Sequence, residues 1–190
     1  MRVLRRTALI GLVGAGLVVP QAASAAAIGG GSTTLTTDPA TTAALVGAGI
    51  APTPAGRATA APSGASVAFT FPVTGGFVNL QNLGGKVWHA GGITFTNTAT
   101  GAAVTVSRFV IDTRAAQLTA LLERGRGSRT AILDLDLSGA TVTPGPAGVV
   151  VGQVTASLTA GAASALNAAL GTSVFSAGLS IGTAEATLMP

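Results

Sequence analysis

The stretch GGKVWHAGGITFTNTATGAAVTVSRFVIDTRAAQLTALL, residues 84–122, decides the predicted fold of this chain. It holds the only Lys, Trp and His of the 190 residues, Lys86, Trp88 and His89. Short runs rich in β-branched and apolar residues alternate with glycine-containing segments such as Gly91-Gly92. This spacing is typical of antiparallel strands joined by tight connections. We therefore predict a strand, turn, strand, turn, strand unit here.

The same pattern continues on both sides of this stretch. Further runs of alternating apolar residues predict strands, among them Val67–Pro72, Arg129–Leu137, Val149–Leu158 and Ile181–Leu188. The residues Thr74-Gly75-Gly76 predict a turn after the first of these strands. A possible edge strand, Arg57–Ala60, lies in a segment rich in proline and glycine and could pair with another chain.

Two short helices are predicted near the chain ends. Asp38-Pro39 supplies an N-cap and a first-turn proline for a helix that runs to about Val46. A second helix is predicted from Ala160 to Leu170, and Gly171 ends it. The predicted fold class is therefore mainly β, an antiparallel β-sandwich or roll with two short α-helices near the chain ends.

The N-terminus has the three parts of a secretory signal peptide. A positive region with Arg2, Arg5 and Arg6 precedes an apolar run from Ala8 to Val19, and Ala23-Ser24-Ala25 offers a cleavage site. The apolar run is shorter than the roughly 20 residues that a membrane-spanning helix needs. We expect a secreted protein, extracellular or cell-wall associated, without a transmembrane anchor. Its predicted parts are a signal peptide (1–25), a flexible leader (26–31) and a single β-rich domain (32–190).

Charge and composition narrow the classes of partner. Three of the ten basic residues leave with the signal peptide, so seven basic and six acidic residues remain. The sequence pI of about 11.5 therefore does not indicate a nucleic-acid partner. The absence of Cys excludes disulfides and thiol chemistry. Few charges and many β-branched residues favour a folded β domain over disorder.

His89 is the single candidate for cofactor binding. Trp88 and His89 are neighbours in a predicted strand, so their side chains point to opposite faces. If Trp88 faces the core, His89 faces solvent or a groove, where an imidazole can ligate a metal or haem iron. The alternative is an ordinary surface histidine. No nearby Cys, Tyr or carboxylate pair completes a zinc ligand set, so no metal site is predicted.

Two carboxylates form the other candidate site. Asp134 and Asp136 alternate with leucines in a predicted strand and could hold a hard cation or act as a glycosidase pair. The same alternation is how a half-buried strand keeps its outer face polar. A Ser-His-Asp triad would have only His89 to use, and no G-x-S-x-G motif is present. We therefore predict no catalytic residue and no enzyme activity.

Several segments resemble the HtaA-type domains of secreted and cell-surface proteins in actinobacteria. They are Gly85–Ile93, Arg108–Thr113 and Leu133–Gly139. The resemblance implies a β-sandwich that carries two short helices. It also implies haem binding, since the better-known members bind haem during iron uptake, with a Tyr on the first helix as iron ligand and a His near the glycine-rich turn supporting it.

This chain departs from that ligand set. It contains no Tyr, and Thr41, Thr42 and Leu45 lie on the predicted first helix where the iron ligand would have to be. His89 lies one or two residues before the family's His, ahead of Gly91-Gly92. We therefore predict that the chain binds no cofactor, and haem is the alternative.

Three functional hypotheses follow. The first is a secreted, non-enzymatic binding or surface-interaction domain of HtaA-like fold, whose partner is a cell-wall component or another protein. The second is a carrier of haem or of an apolar small molecule that uses His89. An apolar pocket between the two helices would favour it. The third is a weak hydrolase that depends on Asp134 and Asp136.

Overall fold

The computed structural model describes residues 25–79, 81–123 and 129–190. The predicted signal peptide lies outside this part of the chain except for Ala25. Within the described residues there are 13 strands and two helices. The strands are β1 Ala26–Ile28, β2 Gly30–Thr37, β3 Ile50–Ala55, β4 Thr59–Ser63, β5 Ser66–Val78, β6 Gly85–His89, β7 Gly92–Asn97, β8 Ala103–Asp112, β9 Gln117–Glu123, β10 Arg129–Asp136, β11 Thr141–Gly145, β12 Gly148–Leu158 and β13 Ser180–Met189. The helices are α1 Pro39–Gly47 and α2 Ala160–Leu170.

Eight of the strands close into an antiparallel barrel. The order around the ring is β5, β2, β13, β12, β10, β9, β8 and β6, and β6 pairs back with β5. The prediction of a mainly β, antiparallel fold with two short helices is confirmed. The sandwich or roll is corrected to a barrel, because hydrogen bonding between β5 and β6 leaves the ring without an open edge.

The glycines of the predicted turn at Gly91-Gly92 bend the chain without reversing it. Strands β6 and β7 both run antiparallel to β8, one after the other. At Gly91, which has a φ of 86°, the chain leaves the ring, and β7 pairs with β3. A Cβ at Gly91 would lie 2.5 Å from the backbone nitrogen of Ala58, so this close approach requires glycine.

The other predicted turn, Thr74-Gly75-Gly76, is likewise not a reversal. It lies inside β5, a single strand of 13 residues, whose register against β6 shifts between Val73 and Gly75. The shift is a β-bulge, which bends a strand and increases its twist. The long strand can therefore pair with several neighbours around the ring, β1, β2, β4 and β6.

Residues 26–31 are paired in the structure, whereas the sequence predicts a flexible leader. Strand β1 pairs with the end of β5, and Ile28 lies opposite Gly76. The Ile28 side chain is buried in the core. Burial of this one aliphatic side chain, together with the backbone pairing, is the physical reason that the segment is ordered.

Five of the described strands lie outside the ring, and three of them carry proline. Strand β3 contains Pro52 and Pro54, β4 contains Pro62, and β11 contains Pro144. Proline has no N–H to donate, so these strands are poor templates for a strand from another chain. The predicted edge strand at Arg57–Ala60 is β4, displaced by two residues at its start.

Both helices begin from strands that end at the same end of the barrel. Helix α1 follows β2 and is capped by Asp38, whose carboxylate accepts from the Ala40 amide at 2.8 Å. Helix α2 follows β12, is capped by Thr159 and ends at Gly171 with a φ of 63°. Helix α1 contacts β3 and β5, and α2 contacts β7, β8 and β10. No helix among the described residues is long and apolar enough to span a membrane.

Candidate functional site

The interior of the barrel contains an apolar cavity of about 150 Å³. Its walls come from the barrel strands and from both helices, and they include Phe71, Phe109, Leu133, Leu45 and Leu166. An eight-stranded barrel is just wide enough inside for side chains or for one small ligand. The apolar pocket bounded by both helices is the feature that favours the small-molecule hypothesis.

The polar residues that line the cavity direct their polar atoms into the wall. They are Thr33, Thr37, Thr41, His89 and Thr113. The Thr37 hydroxyl accepts from the Val67 amide at 2.9 Å. The Thr41 hydroxyl donates to the Ser180 carbonyl at 2.5 Å. Because the polar atoms of these residues are turned away from the cavity, the surface that faces it is apolar, and none of its described lining residues is charged.

His89 faces the inside of the barrel, so the alternative in which Trp88 faces the core and His89 faces solvent or a groove is wrong. Its side chain is 6% exposed, whereas its neighbour Trp88 is 43% exposed on the outer wall. The two side chains do point to opposite faces, as predicted, but the assignment of the faces is reversed. The sequence contains the signal, because Trp88 shares its face with charged Lys86 and His89 shares its face with apolar Val87.

One nitrogen of His89 has a partner. Nε2 lies 2.8 Å from the Thr33 hydroxyl oxygen on β2, so the hydrogen bond connects two strands that β5 separates. Nδ1 is buried and has no hydrogen-bond partner among the described residues. The hydrogen bond with Thr33 and packing therefore set the position of the ring. The unpartnered Nδ1 costs roughly 1–3 kcal/mol, as buried polar atoms without a partner do.

Burial lowers the pKa of His89 from 6.5 to about 4, because the charged imidazolium would be removed from water. The backbone carbonyls of Phe109 and Val87 oppose this shift, although neither completes a hydrogen bond to Nδ1. The imidazole is therefore neutral at pH 7. It then has one donor and one acceptor nitrogen.

The residues around His89 do not fit haem. On α1, the hydroxyl of Thr41 is committed to a backbone carbonyl, and that of Thr42 lies 2.7 Å from the Thr37 hydroxyl. Neither can replace a tyrosine ligand. The cavity beside His89, about 150 Å³, is also smaller than the roughly 300–1,000 Å³ of pockets for drug-sized ligands, and a porphyrin needs at least that much room.

Asp134 and Asp136 lie exposed on the outer wall, on β10. Asp134 accepts from the Gln117 side chain at 3.2 Å. Hydrogen bonds from Ser138 lower the pKa of Asp136. No group of three or more His, Cys, Asp or Glu side chains in residues 25–79, 81–123 and 129–190 could hold a metal ion. Asp136 lines a shallow polar depression with Ser138, Gln153 and Thr155, but Asp134 does not line it. The two carboxylates therefore do not face each other across one cleft, and their geometry does not support the hydrolase hypothesis.

The outer wall carries a pair of exposed aromatic side chains, which we call the Phe77–Trp88 patch. The two ring centroids are 6.2 Å apart at an interplanar angle of 72°. Beside the patch, Lys86 and Asp112 form an ion pair with an Nζ–Oδ2 distance of 2.9 Å. The sequence analysis followed only the alternative in which Trp88 faces the core, so it did not predict this patch.

Comparison with known proteins supports the fold. No family model matches the chain, and no curated protein matches it. Among solved structures, the chain is similar to the C-terminal domain of HtaA from Corynebacterium glutamicum, with 17% sequence identity and a TM-score of 0.57. The match covers 85% of this chain and 98% of that domain. The barrel with its two helices is therefore an HtaA-like fold.

Proposed function

We propose that this chain is a secreted, non-enzymatic binding domain that holds one small, wholly apolar molecule inside its barrel. The observation that carries the proposal is the cavity of about 150 Å³ bounded by strands and both helices. Cavities of this order, about 150 Å³ and lined by aliphatic and aromatic side chains, stay dry and bind benzene or xenon.

The ligand is expected to be apolar because the lining residues turn their polar atoms away from the cavity. Burial of apolar ligand surface contributes roughly 25 cal/mol per Å². A ligand hydroxyl or charge would lose its hydrogen bonds to water, and the lining hydroxyls of Thr37 and Thr41 are already engaged elsewhere. An unpaired polar group costs roughly 1–3 kcal/mol. Neutral hydrocarbon rings or short chains therefore fit best.

The secreted location rests on the predicted signal peptide, and the HtaA-like fold is consistent with it. The non-enzymatic assignment is supported by the positions of the chemically versatile residues. His89 is buried beside an apolar cavity, and Asp134 and Asp136 lie exposed on the opposite side of the wall.

Titration with benzene tests the proposal. The thermal midpoint of the folded protein should rise with benzene concentration, because a ligand that binds only the folded state stabilises it. Ala156 lines the cavity, so Ala156→Leu should fill part of it and reduce the shift at least threefold. The matched control Ala61→Leu, on the exposed strand β4, should retain the full shift. Equal shifts in the two variants would contradict binding inside the barrel.

A further inference from the structure

Trp88 is held on the outer wall by its neighbours. It lies in the closed ring, between Gly75 of β5 and Val110 of β8. A Cβ placed on Gly75 would be 3.3 Å from Cε3 of the indole, so the ring lies against bare backbone. Phe77 meets it edge to face. The largest apolar side chain of the chain is thus exposed in a fixed position, which is unusual for a surface without a partner.

A charged pair of hydrogen-bonding groups borders the aromatic rings. Lys86 lies two residues from Trp88 on the same face of β6, a spacing of roughly 7 Å along a strand. Asp112 lies opposite Lys86 on β8. Its Oδ1 also accepts from the backbone amides of Arg114 and Ala115, at 3.1 and 3.2 Å. The carboxylate is therefore held in place. Its hydrogen bond with the Lys86 ammonium lowers the pKa of Asp112.

The two exposed rings are large enough for a small ligand, and they alone are much smaller than a protein interface. Phe77 is 37% exposed and Trp88 is 43% exposed. Aromatic side chains present roughly 150–250 Å² each, so the two rings together expose less than about 200 Å². A stable protein interface buries more than about 1,000 Å². The patch matches one or two rings of a small ligand.

We propose that the Phe77–Trp88 patch, with the Lys86–Asp112 pair, binds a neutral pyranose ring of a polysaccharide. A pyranose has a C–H face that packs on an aromatic ring and hydroxyl groups at its edge that donate and accept hydrogen bonds. The patch offers an indole for the face, and the adjacent ammonium and carboxylate for the edge. Because the two charges neutralise each other, the site selects an uncharged sugar. The site is independent of the barrel cavity.

The single tryptophan makes a direct test possible, since the fluorescence of the native protein reports only on Trp88. Cellohexaose, chitohexaose and maltohexaose are titrated separately into the native protein. We expect a saturable blue shift with at least one of them. By calorimetry, Trp88→Ala should weaken binding of that sugar at least tenfold, and Trp88→Phe should restore part of it. The control Val142→Ala, at another exposed apolar residue, should bind like the native protein.

Three results would overturn the proposal. The first is the absence of a saturable shift with all three sugars. The second is unchanged sugar binding in Trp88→Ala. The third is a blue shift that depends on protein concentration without sugar, together with dimers in sedimentation, which would assign the patch to a second copy of the chain. Benzene titration of Trp88→Ala separates the two sites, because it should give the native thermal shift whatever the sugars do.

Discussion

The Nε2 atom of His89 lies 2.8 Å from the hydroxyl oxygen of Thr33, and this hydrogen bond connects β6 to β2 on the inside of the barrel. Both side chains are buried. The bond spans β5, so it joins strands that are not neighbours in the ring. It fixes the one titratable side chain among the described residues that line the cavity.

The Thr33→Val variant should lose between about 1 and 3 kcal/mol of unfolding free energy, because it leaves Nε2 of His89 buried without a partner. Urea unfolding measures this loss. In Thr33→Val combined with His89→Leu, the total loss should be smaller than the sum of the two single losses. Additive losses would show that the two side chains do not interact.

Stability should fall with acidification in a window set by His89. The folded-state pKa of about 4 lies below the ordinary value of 6.5, so the unfolded chain binds the extra proton first. Stability is then full above pH 6.5 and is lost as the pH falls towards 4, by about 3 kcal/mol in total. Urea unfolding from pH 7 to 4 measures it.

His89→Leu provides the control for that window. Because leucine does not titrate, this variant should have a flat unfolding free energy between pH 6.5 and 4.5. The depressed pKa of Asp112 affects stability only at lower pH, as its carboxylate is protonated. A native protein with equal stability at pH 7 and 4.5 would contradict the burial of a neutral His89.

Gly91 should tolerate no side chain. Gly91→Ala places a Cβ at 2.5 Å from the Ala58 nitrogen, at a φ of 86°. A left-handed conformation costs about 1–2 kcal/mol, and overpacking adds about 1–3 kcal/mol. Gly101→Ala is the matched control, since its φ is 75° and the position is open. It should lose only the first of these amounts in thermal unfolding, and equal losses would contradict the close approach at Gly91.

Local signals in the sequence predict several elements well. Asp38 and Pro39 mark the start of α1 and Gly171 marks the end of α2, as predicted. The alternation of Asp134 and Asp136 with leucines is also correct, with the leucines facing the cavity. These features depend on residues that are only a few positions apart in the sequence, so a local pattern is sufficient to predict them.

Features that depend on distant residues could not be predicted. A two-residue period is the same in a sandwich and in a barrel, and only the pairings around the ring, such as Leu35 with Ala184, distinguish them. Glycines predict turns, but Gly75 lies in a bulge and Gly91 in a bend. The reason is close packing by residues distant in sequence, Trp88 at Gly75 and Ala58 at Gly91. The cavity is a volume that side chains leave unfilled, and no residue pattern encodes such a volume.

Crystals under xenon pressure test the central claim, an apolar ligand site inside the barrel, most directly. We predict an anomalous xenon peak within the barrel, beside the rings of Phe71 and Phe109, which is absent in Ala156→Leu crystals treated in the same way. A barrel interior without xenon, or a peak that persists at the same position in Ala156→Leu, would contradict the proposed site.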